Sequence, residues 1–501
     1  MIFKASDIQS DRKETADVCV IGSGAGGAVV AKEVALAGRS VIVFEEGPYV
    51  QTHEFTQDQL TAAERYYQEG GTLGVIDRAF ITIIQGKCLG GSTTVNSGIC
   101  FRLPDRKRTE WIEQFGWKEL ADSKWDRAME TLEKDLSIQP SLPFALGKNN
   151  LLFEKGAKAL GMNPKLIRRN AKGCIGCGVC HTGCPSGAKM SMEKTYIPLA
   201  SEKGASVYTE CRAEEILVEN GIAKGIRASV LDSKTKQPIH TVEVRSKVTV
   251  LAGSAVGTPM LLKKNRLLKS KQVGENLHLH PAVGTIGIYE EPVHLWKGVP
   301  QGAEVSDFYG EGIVLETATV APEIMALQIP FIGVPHTELM QQLPNMASWG
   351  GLVEDSSRGF VRVGPDGRPF LGYRLNEIDI ARLKRIIKMT SDIHFAAGAR
   401  KVLSNLPGLE VIENAKDTEK IIRHPVAGNQ LVLVGNHPQG TCRMGTDPHT
   451  SVVGTTCETH EVKNLFICDG SVMPSAVSVN PQITIMGVAM QTAGHILSRF
   501  S

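Results

Sequence analysis

Three glycines near the start of the chain constrain its fold more than any other feature. Gly22-Ser23-Gly24-Ala25-Gly26-Gly27 follows the Val/Ile-rich run from Asp17 to Ile21 and opens the Ala/Val-rich stretch Ala25 to Ala37, which stops at Gly38. Val41 to Phe44 is a second apolar run, with Glu45 at its end. The order is strand, tight turn, helix, strand, which is a βαβ unit on a buried parallel sheet. In Gly22-x-Gly24-x-x-Gly27 the first glycine permits the turn, the second lets backbone approach a pyrophosphate, and the third lets the helix pack close to the strand. The helix start at Ala25 offers free N–H groups and a positive dipole end to phosphates. Glu45 is placed to accept hydrogen bonds from a ribose diol, and its charge repels a 2′-phosphate. The unit serves FAD and NAD equally well. The alternative is a Gly-rich turn in another α/β fold.

A chain of 501 residues is long for one compact unit, so two interleaved domains are expected. Lys124 to Leu136 carries Trp125, Met129, Leu132 and Leu136 at helical spacing. From Val207 to Leu251 the texture is β, with Asn220-Gly221 as a hairpin turn and Lys247 to Leu251 as a strand returning to the nucleotide unit. Residues 285–375 read as strands joined by Gly/Pro turns, Ile378 to Ala396 as a long helix, Lys463 to Cys468 as a last strand, and Ile483 to Phe500 as a final helix. The net charge of +2 gives no electrostatic reason to expect nucleic acid as a partner. Met1 to Thr15 lacks an apolar core for a secretory signal, and no stretch has the ~18 apolar residues of a transmembrane segment. The expected location is cytoplasmic, with contact to a membrane surface left open.

Two groups of residues carry chemistry. His437-Pro438-Gln439-Gly440 is followed some forty residues later by Asn480-Pro481. A neutral imidazole can accept the hydroxyl proton of an alcohol, which is what removal of hydride from the same carbon requires. The alternatives are a histidine hydrogen-bonded within a Gly-rich turn, and an asparagine that caps a helix. The second group is Cys174, Cys177, Cys180 and Cys184, four of eleven cysteines, spaced C-x2-C-x2-C-x3-C-P. That is the run of bacterial ferredoxins, although only one run is present and two-cluster ferredoxins share their fourth cysteine between clusters. An iron–sulfur cluster, a zinc site, and unliganded or disulfide-forming thiols are the three readings.

Several further segments resemble the glucose–methanol–choline oxidoreductases, in family order from residue 17 to the end. Gly86-Lys87-Cys88-Leu89-Gly90-Gly91-Ser92-Thr93-Thr94-Val95-Asn96 is similar to their first signature, and Ser254-Ala255-Val256-Gly257-Thr258-Pro259 to their second. Val273 to Pro281, Asp469-Gly470-Ser471-Val472-Met473-Pro474, and the His437 and Asn480 segments complete the match. The resemblance implies an α/β fold: a discontinuous Rossmann-type FAD-binding domain (1–105, 195–285 and 430–501) and an inserted α+β substrate domain on an antiparallel sheet (106–194 and 286–429, including the cysteine-rich segment 173–185). It implies FAD, held by Gly22, Gly24, Ala25, Gly27 and Glu45, with Gly91, Ser92 and Asn96 along the flavin, the Ala213 backbone near the adenine, and Asp469 and Gly470 near the ribityl–pyrophosphate. Asn480 would face His437, and Pro481 would open the last helix towards the flavin pyrimidine. Where some relatives attach FAD through a histidine, this chain reads Thr93-Thr94-Val95, so non-covalent FAD is expected.

The function implied is oxidation of the CH–OH group of an alcohol, with the proton going to His437, hydride to flavin N5, and the electrons on to oxygen or an acceptor partner. The closest branch is that acting on long-chain alcohols. Ile324 to Leu327 and Ile329 to Ile332 would line an apolar pocket or form ordinary core strands. The alternatives are a FAD-containing lyase on the same scaffold and an electron-transfer subunit whose cysteines are the active part.

Overall fold

A computed structural model describes residues 1–75 and 81–500. Residues 76–80 and 501, which belong to the expected segments 1–105 and 430–501, lie outside the described residues. Two sheets organise the chain. The first takes strands from distant parts of the sequence: Ile2–Phe3, Ser206–Tyr208, Val41–Phe44, Arg12–Ile21, Pro238–Leu251 and Leu465–Ile467 lie side by side, all parallel. Their apolar faces are covered on both sides, as a parallel sheet requires. Val18, Val20, Val43, Val250 and Phe466 are almost fully buried. The antiparallel hairpin Cys211–Glu219 and Ile222–Leu231 extends the sheet beside Pro238–Leu251. Its turn is the expected one, with Asn220 at φ 49° and Gly221 at φ 74°.

Helix Ala25–Leu36 follows the first long strand and packs against the C-terminal helix Gln482–Leu497. Both are rich in small and branched apolar residues, and their buried faces let them lie close over the sheet. The amphipathic helix Ser123–Asp135 buries Trp125, Met129 and Leu132 against the C-terminal helix.

The second sheet is antiparallel through most of its width and runs in the order Val411–Ile412, Lys401–Leu403, Ala282–Ile288, Met346–Val353, Ile313–Thr317, Ala303–Val305, Pro164–Leu166. Helix Glu377–Ala396 lies across it, burying Leu383, Ile386, Ile387 and Ile393. The expected boundary at residue 285 falls inside the strand Ala282–Ile288. Strands Ile81–Thr82 and Leu433–Val434 also join this sheet. One expectation is corrected. Between residues 285 and 375 the chain forms not only strands but also the helices Pro322–Gln328 and Val334–Gln341. A proline in the first turn of each presets a helical φ where the missing N–H costs nothing.

Candidate active site

The two glycine loops meet because neither has side chains to keep them apart. Gly22 has φ +95°, and a Cβ there would lie 2.2 Å from the Ala252 carbonyl oxygen. Gly24 faces Gly91, where a Cβ would sit 3.0 Å from the Gly24 Cα. The Ser23 hydroxyl ties the loops together: it donates to Glu45 Oε2 at 2.6 Å and accepts from the Gly90 N–H at 2.9 Å. Gly27 does not line the cavity. A Cβ on it would meet the Gly22 carbonyl oxygen at 2.0 Å, so its part is the close packing of helix on strand.

Around these loops lies one continuous cavity of about 480 Å³, within the range of cofactor and ligand pockets. Apart from Gly27, every residue expected to hold the dinucleotide lines it: Gly22, Gly24, Ala25, Glu45, Gly91, Ser92, Asn96, Ala213, Asp469, Gly470, Asn480 and Pro481. Glu45 is buried and also accepts the Gly47 N–H at 2.9 Å, and burial pushes its carboxyl up to about 7. Asp469 accepts from the Ser471 N–H at 2.8 Å and from the Thr258 hydroxyl at 2.5 Å, which fixes the turn that begins at Gly470. Asn96 donates to Gln482 at the start of the last helix and accepts from the Gly98 N–H at 2.9 Å.

The cavity has a chemical end. His437 Nε2 lies 3.4 Å from Asn480 Nδ2, and both residues line the wall. Burial, with a small contribution from His280, pushes the His437 imidazole down to about 3, so it is neutral at ordinary pH. The His280 ring meets His437 edge to face at 5.4 Å. His280 Nε2 lies 3.0 Å from Gln439 Nε2 and accepts the Ser478 N–H at 3.3 Å, while Gln439 donates to the His437 carbonyl at 3.2 Å. Behind them Asp355 accepts from Tyr373 at 2.6 Å and from the Leu279 N–H at 3.0 Å. Burial alone would raise the Asp355 carboxyl, but His278 and these donors hold it down to about 2. Helix Gln482–Leu497 starts at the same end, so its free N–H groups and positive dipole end face the cavity.

One neighbour carries no signal in the sequence. Glu316, on strand Ile313–Thr317, is buried beside Asn480, and Gln301 donates to its Oε2 at 2.8 Å. Its Oε1 and the Asn480 Oδ1 are buried without hydrogen-bond partners among the described residues. Burial, then the cross-strand Glu304, pushes Glu316 up to about 8, so it is protonated at neutral pH. An unfolded glutamate ionises near 4.5, so wild type loses stability as pH rises from there towards 8, where the unfolded chain holds fewer protons than the fold. Glu316→Gln lacks that ionisation. Its melting temperature relative to wild type is therefore expected to be higher at pH 8 than at pH 5, as a pair of thermal melts would read.

Residues 63–282 and 355–489 match the two sequence patterns described as GMC oxidoreductase. An uncharacterized GMC-type oxidoreductase of Mycobacterium tuberculosis is 32% identical over 97% of this chain and 76% of its own length. The chain belongs to the GMC oxidoreductase family. It is accordingly a FAD-dependent oxidoreductase acting on CH–OH donors. A long-chain-alcohol oxidase of Arabidopsis thaliana is 30% identical over 94% of this chain and 67% of its own. Pyridoxine 4-oxidase from Mesorbium loti has the same fold, with a TM-score of 0.71 at 17% identity over 96% of this GMC oxidoreductase and 98% of that chain. The residues present fit a flavin dinucleotide: a side-chain-free glycine cradle at one end of the cavity, and an orphaned carboxamide oxygen beside an imidazole at the other.

The four cysteines expected to hold a metal, Cys174, Cys177, Cys180 and Cys184, are brought together in one loop. The four surround a separate cavity of about 10 Å³, room for one water molecule. Among the described residues no group of three or more His, Cys, Asp or Glu is placed to hold a metal ion. A cation also stands at the sulfurs. The Arg169 guanidinium donates to Cys180 Sγ at 3.1 Å and reaches Cys174 Sγ at 3.9 Å. An iron–sulfur cluster at these residues has no support from the family match or from the placement of the side chains. No helix among the described residues is long and apolar enough to cross a membrane.

Proposed function

We propose that this GMC oxidoreductase oxidises a hydrophobic, long-chain alcohol to its aldehyde or ketone, with His437 as the base and Asn480 as the hydrogen-bond donor to the alcohol oxygen. The approach of His437 Nε2 to Asn480 Nδ2, 3.4 Å apart in the cavity wall, carries this reading. An alcohol oxygen seated against both groups meets one acceptor and one donor. The neutral imidazole takes the hydroxyl proton at Nε2, so its own hydrogen sits on Nδ1. The Asn480 amide then donates to the oxygen as negative charge grows on it. His280 and Gln439 hold the His437 segment in place, and burial keeps the ring free of a competing proton. Bound FAD supplies the hydride acceptor.

Val320, Ala321 and Ile324 line the cavity, which favours an apolar substrate tail. The other expected lining residues divide. Met325 and Ile329 are core, whereas Leu327 and Ile332 are exposed. The similarity to a long-chain-alcohol oxidase points the same way. Because the segment Thr93-Thr94-Val95-Asn96 holds no histidine, we further propose that FAD is held non-covalently; acid precipitation should then leave the yellow colour in the supernatant. The test of substrate is anaerobic flavin bleaching with alcohols of increasing chain length, repeated with oxygen and with artificial acceptors. Bleaching that strengthens with chain length supports the reading. No bleaching by any alcohol, with turnover of one to a carbonyl and a second fragment, would favour a lyase instead.

A further inference from the structure

The cysteine loop poses an electrostatic problem that the alcohol reaction does not use. Arg169 and Lys189 are both buried, at 2% and 3% exposure, and both line the small cavity of the four cysteines. Lys189 Nζ is spent on backbone carbonyls: Thr94 at 2.7 Å, Asn96 at 2.8 Å and Cys180 at 2.9 Å. Glu193, the acid whose field acts on Lys189, is occupied by the Ser191 hydroxyl at 2.6 Å and the Thr94 hydroxyl at 2.9 Å. Arg169 donates from Nε to the Ser97 carbonyl at 2.8 Å, and its two terminal nitrogens reach sulfur among the described residues: Cys180 Sγ at 3.1 Å and Cys174 Sγ at 3.9 Å.

A guanidinium stays charged inside a protein, and a buried charge needs a counter-charge. Here the side-chain acceptors offered to it are two thiols on one edge of its planar fork. The fork thus holds the sulfurs of Cys180 and Cys174 on its two terminal nitrogens, side by side. The thiolate, not the thiol, is the nucleophilic form of cysteine. Cys180 is buried, while Cys174 and Cys177 are partly exposed. Cys184 is held apart by the Lys189 N–H at 3.3 Å and by Ser186 Oγ at 3.5 Å. Gly176 and Gly178, at φ +71° and +80°, turn the chain between the two sulfurs so that both reach the same guanidinium.

We propose that Cys180 and Cys174 form a dithiol site that reacts with hydroperoxides. The Cys180 thiolate attacks the peroxide oxygen, the O–O bond breaks, and hydroxide (or the alkoxide, for an organic hydroperoxide) leaves Cys180 as a sulfenic acid. The Cys174 thiol then attacks that sulfur. An S–S bond forms, the S–O bond breaks, and water departs with the Cys174 proton. The peroxide gains two electrons and the two sulfurs lose them. The loop also touches the flavin cavity: His181, the residue after Cys180, lines it and shares a 2.9 Å hydrogen bond with Ser97 Oγ.

The experiment uses the full chain loaded with FAD, reduced, desalted and then exposed to hydrogen peroxide without alcohol. The expected result is the loss of two titratable thiols per chain, a Cys174–Cys180 disulfide in the peptide map, and recovery of both thiols with dithiothreitol. Cys174→Ser should stop at the sulfenic acid and label at Cys180 with dimedone, and Cys180→Ser should form no such link. An unchanged thiol count, a disulfide confined to other cysteines, or stoichiometric iron or zinc held by the four sulfurs in the isolated protein would overturn the proposal.

Discussion

Replacing His437 with alanine should slow the reduction of bound flavin by alcohol roughly 10²–10⁴-fold, the usual contribution of a positioned base. The flavin-to-protein ratio should stay at the wild-type value. The two outcomes separate because the groups that line the dinucleotide end of the cavity, from Gly22 and Glu45 to Asp469, do not depend on the imidazole. Stopped-flow bleaching under anaerobic conditions measures the first and the visible spectrum of the purified variant the second. A variant that reduces its flavin at the wild-type rate would remove His437 from the reaction.

The second large effect lies at Gly26. A Cβ there would come 1.7 Å from the Cys468 carbonyl oxygen and 3.4 Å from the Asp469 Cα. Both belong to backbone at the end of the strand Leu465–Ile467, so no side chain can swing aside. Relief requires the helix Ala25–Leu36 to move away from that strand, which loosens the cradle at Asp469 as well. Gly26→Ala should cost at least the ~1–3 kcal/mol of an overpacked core, lower the melting temperature, and leave the purified protein largely colourless. Melts with and without added FAD, together with flavin absorbance per chain, check both parts. Retention of full flavin and wild-type stability would show that the helix and strand are free to separate.

The sequence revealed the nucleotide half of the molecule because its elements are short-range events. Val41–Phe44 was read to the residue, and Ala25–Leu36 and Glu377–Ala396 to within a residue at each end. A glycine that must have φ +95°, or an apolar run that must be covered on both faces, leaves its mark within a few positions. His437 and Asn480 were also legible, but only as members of motifs. Their 3.4 Å approach depends on Gln439, His280 and Ser478, which come from three separate segments. Glu316 left no mark at all. It sits in the apolar strand Ile313–Thr317 as a single acid, and only pairing with Ala303–Val305 sets it beside Glu304 and Asn480. The helices Pro322–Gln328 and Val334–Gln341 were missed because prolines at their first turns read locally as strand-joining turns. The cysteine spacing is legible as a pattern, yet the pattern is silent about Arg169, whose fork lies against two of the sulfurs.

The parallel sheet takes strands from Arg12–Ile21, Val41–Phe44 and Pro238–Leu251, and a last one from Leu465–Ile467, immediately before Asp469. While the polypeptide is still emerging from the ribosome, the early strands can pair, but one wall is absent until the final stretch has been synthesised. A nascent chain stalled before residue 465 therefore has no complete seat for the dinucleotide.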